Sequence, residues 1–187
     1  MATPSTMLPL GTTLPAFELL NPVTGAMVSS ATLTGSAGVL VAFICNHCPY
    51  VVHLRQQLVS LAHQALEEGF SVVAINSNSI VTHPEDGPGP MKVLATAEQW
   101  GFPFLYDETQ AVAKAFRAAC TPDLFLFDAH RQLAYRGQFD DSRPGNGRPV
   151  TGKDLRDALA AVKAGKPPAK DQQASIGCGI KWHPPAV

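Results

Sequence analysis

The stretch Val39-Leu40-Val41-Ala42-Phe43-Ile44-Cys45-Asn46-His47-Cys48-Pro49-Tyr50-Val51 decides the fold. Its first six residues are a continuous apolar run of strand length, the pattern of a strand buried on both faces of a sheet. Beyond them the period changes. From Tyr50 to Glu68 the apolar residues Val51, Leu54, Leu58, Leu61, Ala62 and Ala65 recur at helical spacing. Arg55, Gln56, Gln57, Ser60, Gln64 and Glu67 take the other face, which predicts an amphipathic helix. Cys45-Asn46-His47-Cys48-Pro49 is then the corner between strand and helix, and in open α/β sheets sites form beyond the carboxyl ends of strands. Pro49 suits the first helical position, where its missing N–H has no intrahelical partner to lose. That makes Cys48 the N-cap, facing the free amides and the positive end of the helix dipole. Such a setting favours the thiolate, which is the nucleophilic form of cysteine. A protonated His47 beside it acts in the same direction.

Outward from this corner the chain alternates between strands and helices. Ala16 to Leu20 and Met27 to Val28 read as short strands around a turn at Asn21 to Gly25, and Phe70 to Ile75 as a second buried strand. Asn76 to Pro90 is turn-forming and too rich in proline for a helix interior. A helix over Met91 to Trp100 is expected to end at Gly101, and Asp107 with Gln110 to open a short helix running to Phe116. Leu124 to Phe127 and Leu133 to Arg136 read as an antiparallel hairpin. Thr151 and Asp154 have capping-box spacing ahead of a last helix that carries Leu155, Ala158, Leu159 and Val162 on one face. The expectation is a three-layer α/β protein, one domain over 1–187, with 165–187 a tail packing on it.

Composition narrows the chemistry. Of 187 residues, 45% are hydrophobic and 16% charged, enough to bury a core without staples. Fourteen Lys and Arg against fifteen Asp and Glu give a net charge of −1, without the basic footprint of a nucleic-acid partner. The N-terminal fifteen residues lack a basic start and an apolar run, and no stretch approaches a membrane span, so a cytoplasmic protein is expected. In a reducing compartment the four cysteines, Cys45, Cys48, Cys120 and Cys178, read as catalytic, redox-active or metal-binding.

Three motifs in order give the chain a family resemblance: CNHCPYV (Cys45 to Val51), CTPDLFLFD (Cys120 to Asp128) and SIGCGIKW (Ser175 to Trp182). From about Leu10 to Trp182 it resembles the thioredoxin-fold, peroxiredoxin-like proteins (alkyl hydroperoxide reductase/thiol-specific antioxidant, redoxin), and within them a bacterial subgroup carrying these motifs. The resemblance implies a thioredoxin fold, with a central mixed sheet of four or five strands flanked by helices and a peroxiredoxin-type N-terminal β-hairpin. It puts Cys48 on the nucleophilic cysteine of thioredoxins and leaves Cys45 as an extra thiol at the strand end. An alternative register makes Cys45 the nucleophile and Cys48 its resolver but leaves Pro49 unexplained. It also puts Thr121-Pro122 at the cis-proline that faces the active cysteine, with the Thr121 backbone open to pair with an extended substrate. Two departures stand out. Ala42 replaces the buried thioredoxin aspartate, and VAFICNHC (Val41 to Cys48) lacks the proline and threonine of the peroxidatic loop.

The resulting reading is a thiol–disulfide oxidoreductase acting on a protein or small-molecule thiol or disulfide, without a cofactor. Cys48 attacks and Cys45 or Cys178 resolves. Asn46, His47 and Pro49 shape the approach, and Thr121 and Pro122 hold the substrate. Cys178, between two glycines in the tail, reads either as a mobile resolving thiol or as an inert residue of a packed tail. Cys120 reads either as a neighbour of Cys48 or as a buried spacer. Two alternatives stay open: a thiol peroxidase using the same Cys48 on a hydroperoxide, and a copper- or zinc-binding module built from Cys45, His47 and Cys48. A homodimer is compatible with either redox reading. His53 and His63 read as surface or boundary residues, His83 and His130 as loop residues. Asp140-Asp141-Ser142 reads as a solvated loop, with Arg136 free to pair with either carboxylate.

Overall fold

A strand that is apolar at every position needs cover on both faces, and the chain supplies it from two directions. In the computed structural model, which describes residues 2–185, the elements in chain order are β1 (Ala2–Pro4), β2 (Glu18–Leu20), β3 (Met27–Ser29), β4 (Gly38–Phe43), α1 (Pro49–Glu67), β5 (Phe70–Asn76), α2 (Pro88–Ala97), β6 (Phe104–Tyr106), α3 (Ala111–Ala115), β7 (Cys120–Thr121), β8 (Asp123–Asp128), β9 (Leu133–Gly137), α4 (Lys153–Lys163) and β10 (Ile176–Gly179). The main sheet runs β3-β2-β6-β5-β4-β8-β9, and a smaller one runs β1-β10-β7. β4 is central: it pairs parallel with β5 (Ala42 opposite Ala74) and antiparallel with β8 (Ala42 opposite Leu124). This is the mixed α/β sheet of the thioredoxin fold. It has seven strands rather than four or five, because the N-terminal hairpin β2–β3 adds to the edge of β6.

Alternation along β4 sends Leu40, Ala42 and Ile44 to one face, against Val51, Leu54 and Leu58 of α1, Met91 of α2 and Leu155 of α4. Val39, Val41 and Phe43 go to the other, against Phe125, Phe127, Leu105 and Phe116. There Phe43, Phe116 and Phe125 meet edge-on, with ring centroids 5.2–5.8 Å apart. No helix among the described residues is long and apolar enough to cross a membrane.

Several local expectations change. α2 begins at Pro88, not Met91, and contains Pro88 and Pro90. Both lie in the first turn, where amides have no intrahelical acceptor to lose. The helix ends at Ala97, and the left-handed residue beyond it is Gln99 (φ 53°), not Gly101. Asp107 is not an N-cap, because Gln110 holds that place with φ 61°; instead its carboxylate reaches across to the Val112 and Ala113 amides at 3.3 and 2.9 Å. The Thr151–Asp154 box does not form. Gly152 is the N-cap, and Asp154 accepts from Gln138 Nε2 at 2.6 Å. Asp140 is buried, holding the Thr151 and Gly152 amides at 2.6 Å, and Arg136 pairs with neither loop carboxylate but donates to Leu8 O and Gln172 Oε1.

Candidate active site

Strand β4 ends at Phe43, and six residues later α1 starts with Pro49 at its first position and Cys48 as N-cap (φ −60°, ψ 122°). The Cys48 carbonyl accepts the first helical bond, from Val52 N at 2.9 Å. The Cys48 side chain turns inward without capping, and its thiol donates to Thr121 O at 3.1 Å. Thr121 comes from β7, and its peptide bond to Pro122 is cis. Its hydroxyl lies 3.5 Å from Cys45 Sγ. One β7 residue therefore touches both thiols of the corner.

These contacts divide the charge. The Cys45 thiol is the hydrogen-bonding neighbour of Cys48, and each shifts the other. Cys48 is lowered to about 4, first by that bond from Cys45; bonds from Cys178 and Thr121 add to it against burial. Cys45 is pushed strongly up, by the same bond and then by burial and the charge of Asp86. The helix end favours the negative charge on Cys48, the one of the two that stands at the N-terminus of α1. On ionisation its bond to Thr121 O is lost, and the sulfur becomes purely an acceptor. Burial pushes Cys120 up as well, while its thiol contacts Pro122 O and Ser175 O at 3.5 and 3.9 Å. Cys178 is raised to about 11, by burial first and then by its bond to Cys48.

The segment between the cysteines is held by a residue that composition and spacing did not mark. Asp86, with no exposed surface, accepts at Oδ1 from the Asn46 and His47 amides (2.8 and 3.3 Å), and at Oδ2 from His47 Nδ1 (2.6 Å) and Asn78 Nδ2 (2.8 Å). A carboxylate only accepts, so His47 carries its hydrogen on Nδ1, which leaves Nε2 free of this bond. The Asn46 side chain donates to Glu85 O at 3.0 Å. His83 stacks on His47, centroids 4.8 Å apart. Asp86, Glu85 and His83 come from the proline-rich 76–90 stretch. The only available signal was its position, directly after the strand β5 that neighbours β4.

Donor atoms of Cys45, His47 and Asp86 lie within 4.8 Å of one another, as do those of His47, His83 and Glu85. Of the remaining histidines, His53 Nε2 meets Ser142 Oγ at 2.6 Å and His63 Nε2 accepts from Gly101 N at 3.2 Å.

Of the two settings read for Cys178, a mobile tail and a packed one, the packed one is found. Cys178 is not in a loose tail but in β10, opposite Thr121 of β7 and Ala2 of β1. It packs partly exposed on the core that includes Cys48. The fold thus brings Cys45, Cys48, Cys178, Asn46, His47, Pro49, Thr121 and Pro122 to one place. The Thr121 backbone, expected to be open to an extended substrate, is instead paired with the chain's own β10.

A family model described as Redoxin matches residues 9–155. A crystal structure of an uncharacterized conserved protein from Geobacillus kaustophilus is similar over 100% of this chain and 98% of that one, with 49% identity and a TM-score of 0.97. A hypothetical protein from Sinorhizobium meliloti 1021 is 47% identical over 97% and 98%, with a TM-score of 0.94. A secreted Mycobacterium tuberculosis disulfide oxidoreductase homologous to E. coli DsbE, 16% identical over 78% and 95% with a TM-score of 0.58, shares the fold. Among curated proteins no match was found.

Proposed function

The chain belongs to the redoxin family, and from that membership we propose that it is a thiol–disulfide oxidoreductase with Cys48 as its nucleophile. The observation that carries this reading is the placement of Cys48 as N-cap of α1, with Pro49 behind it and Thr121–Pro122 across from it. In the reaction the Cys48 thiolate attacks one sulfur of a disulfide. The S–S bond breaks, one substrate thiolate leaves, and a mixed disulfide remains on Cys48. A second protein thiol, Cys45 or Cys178, attacks Cys48 Sγ and releases the other half. Cys45 keeps the proton while Cys48 is charged. Asn46 and His47, pinned by Asp86, line the approach, and Thr121 and Pro122 form the opposite wall. Residues 1–187 act as one redoxin unit, in a reducing compartment such as the cytoplasm, where free thiols persist.

Replacing Cys48 with Ala is expected to lower disulfide turnover at least a hundredfold. Full activity in that variant would sink the proposal. The rival readings make other demands. A thiol peroxidase requires the Cys48 thiolate to be oxidised by a hydroperoxide, and stopped-flow consumption no faster than free cysteine excludes it. For zinc or copper, the donor set assembled is Cys45, His47 and Asp86 rather than Cys45, His47 and Cys48. The Asp86 oxygens already accept four hydrogen bonds, two of them from backbone amides, which a metal would have to displace.

A further inference from the structure

β10 is the middle strand of the small sheet. Its Cys178 faces Ala2 of β1 on one side and Thr121 of β7 on the other. Recognition of an extended polypeptide by strand addition needs a free edge. Thr121 offers none toward Cys178, because the chain's own strand lies there. The strand that carries Cys178 offers none either, because both its edges are paired. Gly177 closes the approach further: a Cβ at that position would stand 2.0 Å from Thr121 O and 3.1 Å from Pro122 Cδ. No residue with a side chain fits between β10 and the Thr121–Pro122 peptide.

Exposure divides the thiols. Cys48 has no exposed surface and Cys45 only 1%, whereas Cys178, the cross-strand neighbour of the residue that Cys48 touches, is partly open to solvent. We infer that the oxidised form of the site links Cys48 to Cys178, and that its outside partner is a low-molecular-weight thiol or disulfide of glutathione size, the thiol meeting the protein at Cys178 Sγ. The inference rests on the reading that Cys48 is the reactive thiol, and it adds the partner class and the point of entry.

The exchange balances as follows. A small thiolate RS⁻ attacks Cys178 Sγ, the Cys48–Cys178 bond breaks, Cys48 leaves as thiolate, and an R–S–S–Cys178 bond forms. A second RS⁻ attacks the R sulfur of that mixed disulfide, giving RSSR and a Cys178 thiolate that takes up a proton. Two small thiols are oxidised and one protein disulfide is reduced. Reduction of RSSR follows the parent reading: the Cys48 thiolate attacks RSSR, one RS⁻ leaves, and Cys178 gives up its proton and attacks Cys48 Sγ, expelling the second RS⁻ and closing the Cys48–Cys178 bond. Attack at Cys178 expels the better leaving group, since Cys48 is held low while Cys178 is raised to about 11.

The test uses the full chain oxidised with diamide, followed by mass-spectrometric mapping and by turnover assays. A Cys48–Cys178 peptide is expected, and Cys45–Cys48 as the sole link would overturn the inference. Turnover of 2-hydroxyethyl disulfide with glutathione as donor should fall at least tenfold in Cys178→Ser, more than in Cys45→Ser; the reverse ranking counts against it. Insulin should be reduced no faster than by glutathione alone, and insulin turnover matching that of the small disulfide, bond for bond, would show that polypeptides do enter. Cys48→Ala separates the two levels: full turnover there defeats the parent reading, whichever link the mapping finds.

Discussion

Asp86 is the residue that holds the corner in register, and it does so with both oxygens. Asn46 and His47 donate their backbone amides to Oδ1, while the His47 ring and the Asn78 amide share Oδ2. Replacing it with Asn puts an NH₂ group against donors that need an acceptor. A loss of about 2–4 kcal/mol is expected, read as a lower urea midpoint at unchanged slope. Stability equal to wild type would mean that the corner is held by something else. The charge at Cys48 is tested at the same scale. Absorbance at 240 nm should show one thiolate forming with a midpoint well below pH 7, and Cys48→Ala should remove that step. If thiolate formed only above pH 8, the helix end would have no hold on the sulfur.

Among the elements, β10 shows where local reading of a sequence stops. Pro49 and the change of period at Tyr50 announced the strand–helix corner, because both signals are local and the structure there follows its own sequence. The tail did not announce a strand. Ile176-Gly177-Cys178-Gly179 is short, and two of its four residues are glycines, which weaken strand propensity. The strand exists because β1 and β7, more than fifty residues away in sequence, offer edges, and Gly177 is needed because Thr121 O comes so close. Asp86 was missed for the same reason: it lies in a loop whose prolines read only as punctuation, and Asn46 and His47, which it holds, lie about forty residues upstream. Ala at position 177 should therefore loosen β10 from β7. Iodoacetamide labelling of Cys48 at pH 6 is expected to speed up at least fivefold, with a loss of roughly 1–3 kcal/mol of stability for the crowded Cβ. An unchanged labelling rate would mean that β10 does not screen Cys48.

Across the whole molecule, two buried acids set how stability follows pH, and they oppose each other. Cys48 is lowered to about 4, whereas a cysteine in the unfolded chain titrates near about 8.5. Between those values the unfolded state holds a proton that the native state has released, so this group makes stability rise with pH. Asp123 sits at the start of β8 with no exposed surface. Its Oδ2 accepts from Ala119 N at 3.2 Å while Oδ1 has no partner, and burial raises it to about 7. An unfolded aspartate titrates near about 4, so over that interval the native state holds the extra proton and stability falls as pH rises. Of the groups with shifted pKa values, these are the two that titrate between about pH 4 and 8 in the native state; above about pH 8 Cys45, Cys120 and Cys178, all raised by the fold, begin to ionise in the unfolded chain and lower stability. For the reduced protein the expectation is a nearly level stability from pH 4 to 7, followed by a short rise that ends near pH 8. Each substitution should expose the other group. Cys48→Ala should become less stable from pH 4 to 7, and Asp123→Asn should become more stable from pH 4 to about 8. The Asn variant should differ most from wild type above pH 7, where the buried carboxylate is charged, by up to about 4 kcal/mol in its favour. Urea titrations at four pH values measure all three slopes. Parallel profiles would show that neither acid is shifted by the fold, and the charge assignment at the active corner would fall with them.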